Sequence, residues 1–236
     1  MSLIRCQNLS LGYEGTVVLS DVNFSIEVGN YLCILGENGS GKSTLVKGLL
    51  HLKTPLSGSI QLGDGLHPNE IGYLPQHSSI QKDFPASVLE VALSGRLNQR
   101  RGKPFYSAED KRVAMDNLTR MGMETRAKLS YQDLSLGQQR RVLLARALCA
   151  TRKMLLLDEP VAGLDPIATG ELYQLIQEIN QHAGITIVMV THDLPTAVTY
   201  ASQVLHLDQT QLFFGSKEDY TRSELGHQFL RGCYHV

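Results

Sequence analysis

Gly36-Glu37-Asn38-Gly39-Ser40-Gly41-Lys42-Ser43-Thr44 is the stretch on which the fold turns. It satisfies the pattern G-x-x-x-x-G-K-[ST], with Thr44 as an extra hydroxyl. Its flanks agree with that reading. Tyr31 to Leu35 is a strand by composition, and a helical pattern runs from Lys42 to about Leu52. Gly36, Gly39 and Gly41 let the backbone fold tightly and aim its N–H groups inward. The helix opening at Lys42 presents its positive end to the same point, so the segment is built to hold phosphate. Lys42 can reach β- and γ-phosphates, and the Ser43 hydroxyl suits Mg²⁺.

A second segment completes such a site. Met154-Leu155-Leu156-Leu157-Asp158-Glu159-Pro160 is an apolar run ending in two acids. A parallel strand covered on both faces reads this way. Its carboxyl end, where ligands of open α/β sheets bind, then carries both carboxylates. Asp158 is the candidate for the Mg²⁺ shell. Glu159 is the candidate for orienting or deprotonating an attacking water.

Outward from these anchors, Thr16 to Ser20, Val22 to Ile26, Ser59 to Leu62 and Ile71 to Leu74 read as short strands. From about Ser87 to Ala150 the pattern is helical, with a capping box at Ser87-Val88-Leu89-Glu90 and an acidic start at Ser107-Ala108-Glu109-Asp110. Asn98 to Lys103 is polar and basic and reads as an exposed loop. A helix from about Pro166 to His182 precedes the apolar strand Ile185 to Val190. Strand alternating with helix implies a parallel sheet with crossover helices. The fold class expected is α/β: a phosphate-loop NTPase core with a mostly parallel sheet, an N-terminal antiparallel layer and an inserted helical subdomain. The 236 residues are read as one domain, with a core of about 1–84 and 151–236 and a helical subdomain of about 85–150.

A net charge of −1 supplies no broad basic field, so no nucleic-acid partner is expected. The N-terminus lacks a secretory pattern, and the apolar runs are too short to span a bilayer, so a soluble, cytoplasmic chain is expected. Cys6, Cys33, Cys149 and Cys233 are scattered and read as buried reduced thiols. A cluster of His227, Cys233 and His235 is the minor candidate for a metal.

With both halves of the phosphate site in place, nearly the whole chain resembles the nucleotide-binding subunits of ATP-binding cassette (ABC) transporters. Asp133-Leu134-Ser135-Leu136-Gly137-Gln138-Gln139-Arg140-Arg141 is similar to the family signature, usually L-S-G-G-Q. The resemblance implies that Ser135, Leu136, Gly137 and Gln138 cap the ATP of a second copy, in a head-to-tail dimer with two shared sites. Leu136 departs from the pattern. A leucine disfavours φ > 0, so closure would suffer if that position needs glycine-like dihedrals, and not otherwise.

The other motifs follow in the family order. Gln76, in Gly72-Tyr73-Leu74-Pro75-Gln76, resembles the glutamine that touches Mg²⁺ or the lytic water. Asp165, ending Val161-Ala162-Gly163-Leu164-Asp165, resembles the acid that reaches across the dimer. His192, in Val190-Thr191-His192-Asp193, resembles the switch histidine on the γ-phosphate. Tyr13, with Val18 beside it, resembles the aromatic that stacks on adenine, plain packing being the alternative for Tyr13. Glu37, Asn38 and Ser40 join the ATP-binding set with their loop.

The cofactors implied are ATP and Mg²⁺. The partners implied are a second copy, an integral membrane permease contacted through about His77 to Arg96, and indirectly a solute-binding protein. The place implied is the cytoplasmic face of the membrane. Asp83-Phe84-Pro85-Ala86-Ser87-Val88-Leu89-Glu90-Val91-Ala92-Leu93-Ser94-Gly95-Arg96 is similar to subunits of zinc and manganese importers, and also to those serving siderophores. Two rivals are an ATPase of the same superfamily acting on DNA or ribosomes, and a module that holds ATP without turnover.

Overall fold

The computed structural model describes residues 2–76, 85–99, 105–192 and 198–232. Residues 77–84 of the expected permease-facing stretch, 100–103 of the basic loop, Asp193, and Cys233 with His235 lie outside the described residues.

Among the described residues nine strands form one sheet in the order β4-β1-β2-β9-β8-β3-β7-β6-β5. The strands are β1 (Ser2–Tyr13), β2 (Thr16–Glu27), β3 (Tyr31–Leu35), β4 (Ser57–Leu62), β5 (Ile71–Leu74), β6 (Met154–Asp158), β7 (Thr186–Val190), β8 (Gln203–Asp208) and β9 (Thr210–Ser216). From β5 to β8 every pairing is parallel. β1 pairs antiparallel with both β2 and β4, and this layer joins the rest at Ser20 against Thr210. The expected α/β core with an antiparallel layer is therefore the observed one.

The central strands alternate between two cores. Leu155 and Leu157 of β6 and Ile187 and Met189 of β7 face one apolar cluster, while Met154, Leu156, Val188 and Val190 face the other. All are buried, which is why these strands read as unbroken apolar runs rather than alternating ones. Burying each such side chain contributes about 1.5–3 kcal/mol. The first cluster also takes in helices α2 (Val88–Ser94), α3 (Ala108–Arg120), α4 (Leu136–Ala150) and α5 (Pro166–Ala183), so the helical lobe shares a core with the sheet. Helix α1 (Lys42–Leu49) packs in the second. Helices α6 (Lys217–Arg222) and α7 (Glu224–Gly232) close the chain, with Tyr220 fully buried against His206.

Helix starts follow their caps. Ser87 and Ser107 each form a full capping box, with Glu90 and Asp110. Asp110 also pairs with Arg96 at 2.9 Å, fastening the end of α2 to the start of α3. The Ser107 hydrogen bonds, then Arg96, hold the Asp110 carboxyl at about 2. Three local expectations are corrected. Thr16 to Ser20 and Val22 to Ile26 belong to one strand, bent where Asp21 adopts φ 52°. Helix α1 stops at Leu49, because His51 turns to φ 55°. Leu97–Gln99 is a 3₁₀ turn tied down by Gln99 to the Ala150 carbonyl, so the expected loop is anchored at its start. Cys6, Cys33 and Cys149 are buried free thiols, as expected.

Candidate functional site

The phosphate loop fills the gap between β3 and α1. Gly36, Gly39 and Gly41 have φ of 148°, 87° and 96°, values that side-chain-bearing residues rarely adopt. A Cβ on Gly36 would also lie 2.3 Å from the Leu207 carbonyl oxygen. Gly41 is the N-cap of α1, so the first N–H groups of that helix remain open to a ligand. Lys42 is buried and folds back over its loop: Nζ donates to the carbonyls of Gly36 (2.6 Å) and Glu37 (2.7 Å) and approaches Ser40 Oγ at 3.5 Å. Burial lowers the Lys42 pKa, and Glu159, Asp158 and Glu37 oppose that shift.

Parallel register assembles the opposite wall. Asp158 pairs with Val190 at the ends of β6 and β7, so the residues that follow each strand lie side by side. Glu159 is buried, in the left-handed region at φ 48°, with its N–H on the Val190 carbonyl at 2.9 Å. Its Oε2 meets His192 Nδ1 at 2.8 Å and accepts from Thr191 Oγ1 at 3.4 Å. A non-glycine residue held at positive φ is strained, and such strain concentrates at functional sites.

One cavity of about 180 Å³ is lined by Val18, Asn38, Gly39, Gly41, Lys42, Ser43, Thr44, Gln76, Asp158, Glu159 and Val190. Most of the expected phosphate-site residues are thus brought together. His192 joins through Glu159, while Gly36, Glu37 and Ser40 join through Lys42. Sequence reasoning missed two residues here. The buried Thr191 supports Glu159, and the Tyr73 phenol faces the Asp158 carboxylate. Burial, then the Asp158 charge, pushes Tyr73 up to about 12, so the phenol stays protonated. A polar tip on β5, the strand next to β6, was the available signal.

Six expected residues, Tyr13, Ser135, Leu136, Gly137, Gln138 and Asp165, stand apart. Tyr13 is half exposed rather than packed. Its ring has Lys53 Nζ 3.7 Å from the centroid, and its hydroxyl accepts from Lys47 at 3.1 Å, which with Thr44 lowers its pKa. Asp165 caps its own helix, accepting from the N–H groups of Ile167 and Ala168. Ser135 is the N-cap of α4, in a capping box with Gln138. Gly137 lies close to α5, where an added Cβ would be 3.3 Å from Ala168 Cβ.

Leu136 is the first residue of α4, with helical backbone, so this position needs no glycine-like dihedral. Leu136 is 45% exposed, and a Cβ added at Gly163 would lie 3.4 Å from its Cδ2. We expect Leu136→Gly to change turnover by less than about threefold, with ATPase rate as the measure. A tenfold gain, about 1.4 kcal/mol, would mean that the leucine side chain obstructs closure.

Comparison with known proteins gives the same family. The family described as ABC transporter matches residues 19–162. The chain is 36% identical to the manganese transport system ATP-binding protein MntB of Bacillus subtilis over 92% of this chain and 87% of that protein. It is 34% identical to the zinc uptake system ATP-binding protein ZurA of Listeria innocua, with the same two coverages. Among solved structures, an inward-facing metal-chelate type ABC transporter superposes with a TM-score of 0.87 and 30% identity, over 98% of this chain and 90% of that one.

Proposed function

This chain belongs to the ABC transporter family as an ATP-binding and ATP-hydrolysing subunit, and from that premise we propose that it powers import of manganese or zinc through a separate membrane permease. The observation that carries the cargo assignment is its identity to the manganese and zinc subunits over 92% of its length.

We assign the roles as follows. ATP phosphates enter the phosphate loop and replace the Gly36 and Glu37 carbonyls as partners of Lys42. The open N–H groups of α1 and its loop meet the remaining oxygens. Ser43, Asp158 and Gln76 line one cavity with hard oxygen donors, the set that suits Mg²⁺, which when bound neutralises charge on the β- and γ-phosphates. Tyr73 holds the Asp158 carboxylate in place. Glu159, steadied by Thr191 and His192, orients the attacking water and takes up its proton. Tyr13, exposed and with Lys53 Nζ over its ring, offers that ring to adenine.

Ser135, Leu136, Gly137 and Gln138 line no part of the cavity that holds Lys42. Their contribution to ATP therefore comes from a second copy, packed head to tail. In that dimer the helical subdomain, about 85–150, swings against the core of about 1–84 and 151–236. Pro85 to Arg96 is the described part of the permease-facing stretch. Among the described residues no helix is long and apolar enough to cross a membrane. In this reading the permease holds the chain at the cytoplasmic face. A solute-binding protein delivers the ion on the other side.

The test is ATP-dependent uptake by the chain and its permease in proteoliposomes, offered radiolabelled manganese, zinc or a ferric siderophore. Uptake of manganese or zinc that stops in Glu159→Gln supports the assignment. Uptake of the siderophore alone overturns the cargo and leaves the ATPase in place.

A further inference from the structure

Arg140 lies on α4, five residues beyond Ser135 and about 7.5 Å further along the helix axis. It is only 6% exposed. Its guanidinium faces no carboxylate among the described residues, and its Nε has no hydrogen-bond partner there. Instead Nη2 donates to the Gln76 carbonyl at 2.9 Å and Nη1 to the Pro75 carbonyl at 3.4 Å. Desolvation lowers its pKa, yet a guanidinium stays charged in a protein. The neighbouring Arg141 behaves as a surface arginine should, pairing with Glu171 at 2.5 Å.

A buried cation that faces no carboxylate among the described residues is a poor choice for stability alone. A methionine of similar length would fill the space without the desolvation cost. What methionine cannot do is grip two successive carbonyls. Those carbonyls belong to the segment by which the chain leaves β5, and Gln76 lines the nucleotide cavity. At its other end, α4 begins with Ser135 to Gln138. One rigid guanidinium therefore joins the residue assigned to Mg²⁺ or the attacking water in this subunit to the helix that caps the γ-phosphate in the other.

We propose that Arg140 is a positioning residue that locks the Gln76 segment to helix α4, so that nucleotide engagement at Gln76 sets where Ser135 to Gln138 stand towards the second copy. The proposal rests on the shared-site ATPase reading and adds to it the link between the two half-sites. Arg140 itself does not line the cavity, so its effect on ATP within its own subunit runs only through Gln76.

Arg140→Met and Arg140→Lys test this in the full chain, beside wild type. For each, three quantities are measured: affinity for a fluorescent ATP analogue in the monomer, steady-state kcat and KM, and the dimer fraction in Mg-free ATP. Arg140→Met should melt within a few degrees of wild type and bind the analogue equally. Its kcat should fall about tenfold or more, equivalent to about 1.4 kcal/mol of lost closure. Its ATP-dependent dimer should weaken in step, with KM little changed, and Arg140→Lys should recover part of the loss through one restored donor. Wild-type turnover in Arg140→Met would overturn the proposal. So would loss of analogue affinity and melting temperature in parallel with turnover in both variants, which is the mark of a structural residue. Failure of wild type itself to turn over would count against the ATPase reading, so the two failures are distinct.

Discussion

Glu159→Gln is expected to lower ATP turnover by about 10²–10⁴-fold, the range that a lost general base produces, while leaving the fold and ATP binding intact. The substitution is close to isosteric. The amide oxygen can still accept from Thr191 Oγ1 and His192 Nδ1, so the strained backbone at φ 48° keeps its side-chain supports. What disappears is the negative charge and its ability to take a proton. Loss of that charge also removes a repulsion against the γ-phosphate, so the ATP-bound dimer should accumulate instead of turning over. Steady-state ATPase rate and solution mass, measured on one preparation with ATP, read both effects. A variant that turns over within fivefold of wild type would remove Glu159 from its assigned role and leave His192 as the candidate.

The phosphate site was legible because each of its parts sits at a boundary that sequence marks well. The loop glycines, the acids after β6 and the histidine after β7 are all at strand ends. Parallel register then brings those ends together without further information. β3, β5 and β6 were readable as short apolar runs, and α2 and α3 announced themselves by serine caps. β8 and β9 went unread for a physical reason. Their hairpin turns at Gln209, φ 56°, rather than at Asn-Gly or Asp-Gly, so the usual signal is missing. β1 was hidden by the positive φ of Asn8 and by shifts of register along its pairing with β2. Tyr73, Thr191 and Arg140 share a different obstacle. Each acts through a residue on another element, as Arg140 does on Gln76, which lies 64 positions away. Pattern within a short window cannot reveal such pairs. Leu136 shows the converse: a departure from the family motif left open whether the position needs glycine-like dihedrals, and the helical backbone there answers that it does not.

The same dependence of function on distant contacts predicts a large effect far from ATP. Gly72 on β5 lies under α4 with no room for a side chain. An added Cβ would be 2.4 Å from the Ala147 carbonyl oxygen, 2.7 Å from Leu155 Cδ2 and 2.8 Å from Thr151 Cγ2. The first of these is helix backbone, and Leu155 belongs to a strand buried on both faces, so neither can yield cheaply. Gly72→Val should therefore destabilise the fold by about 3 kcal/mol, the upper end of ordinary overpacking, and lower the melting temperature by roughly 6–12 °C. Relief is available only by lifting α4 from the sheet. That movement carries Arg140 away from the Gln76 carbonyl and tilts Ser135 with it, so turnover should fall below what the loss of folded protein explains. Gly170→Ala on α5 is the matched control, because nothing lies within 4 Å of its added Cβ. There alanine should stabilise the helix by about 0.5–1 kcal/mol and leave turnover unchanged. Thermal unfolding followed by circular dichroism, with ATPase rate per folded molecule, separates the two. A Gly72→Val protein that melts with wild type would mean that α4 and β5 are not in the close contact described, and the mechanical link from sheet to signature helix would fall with it.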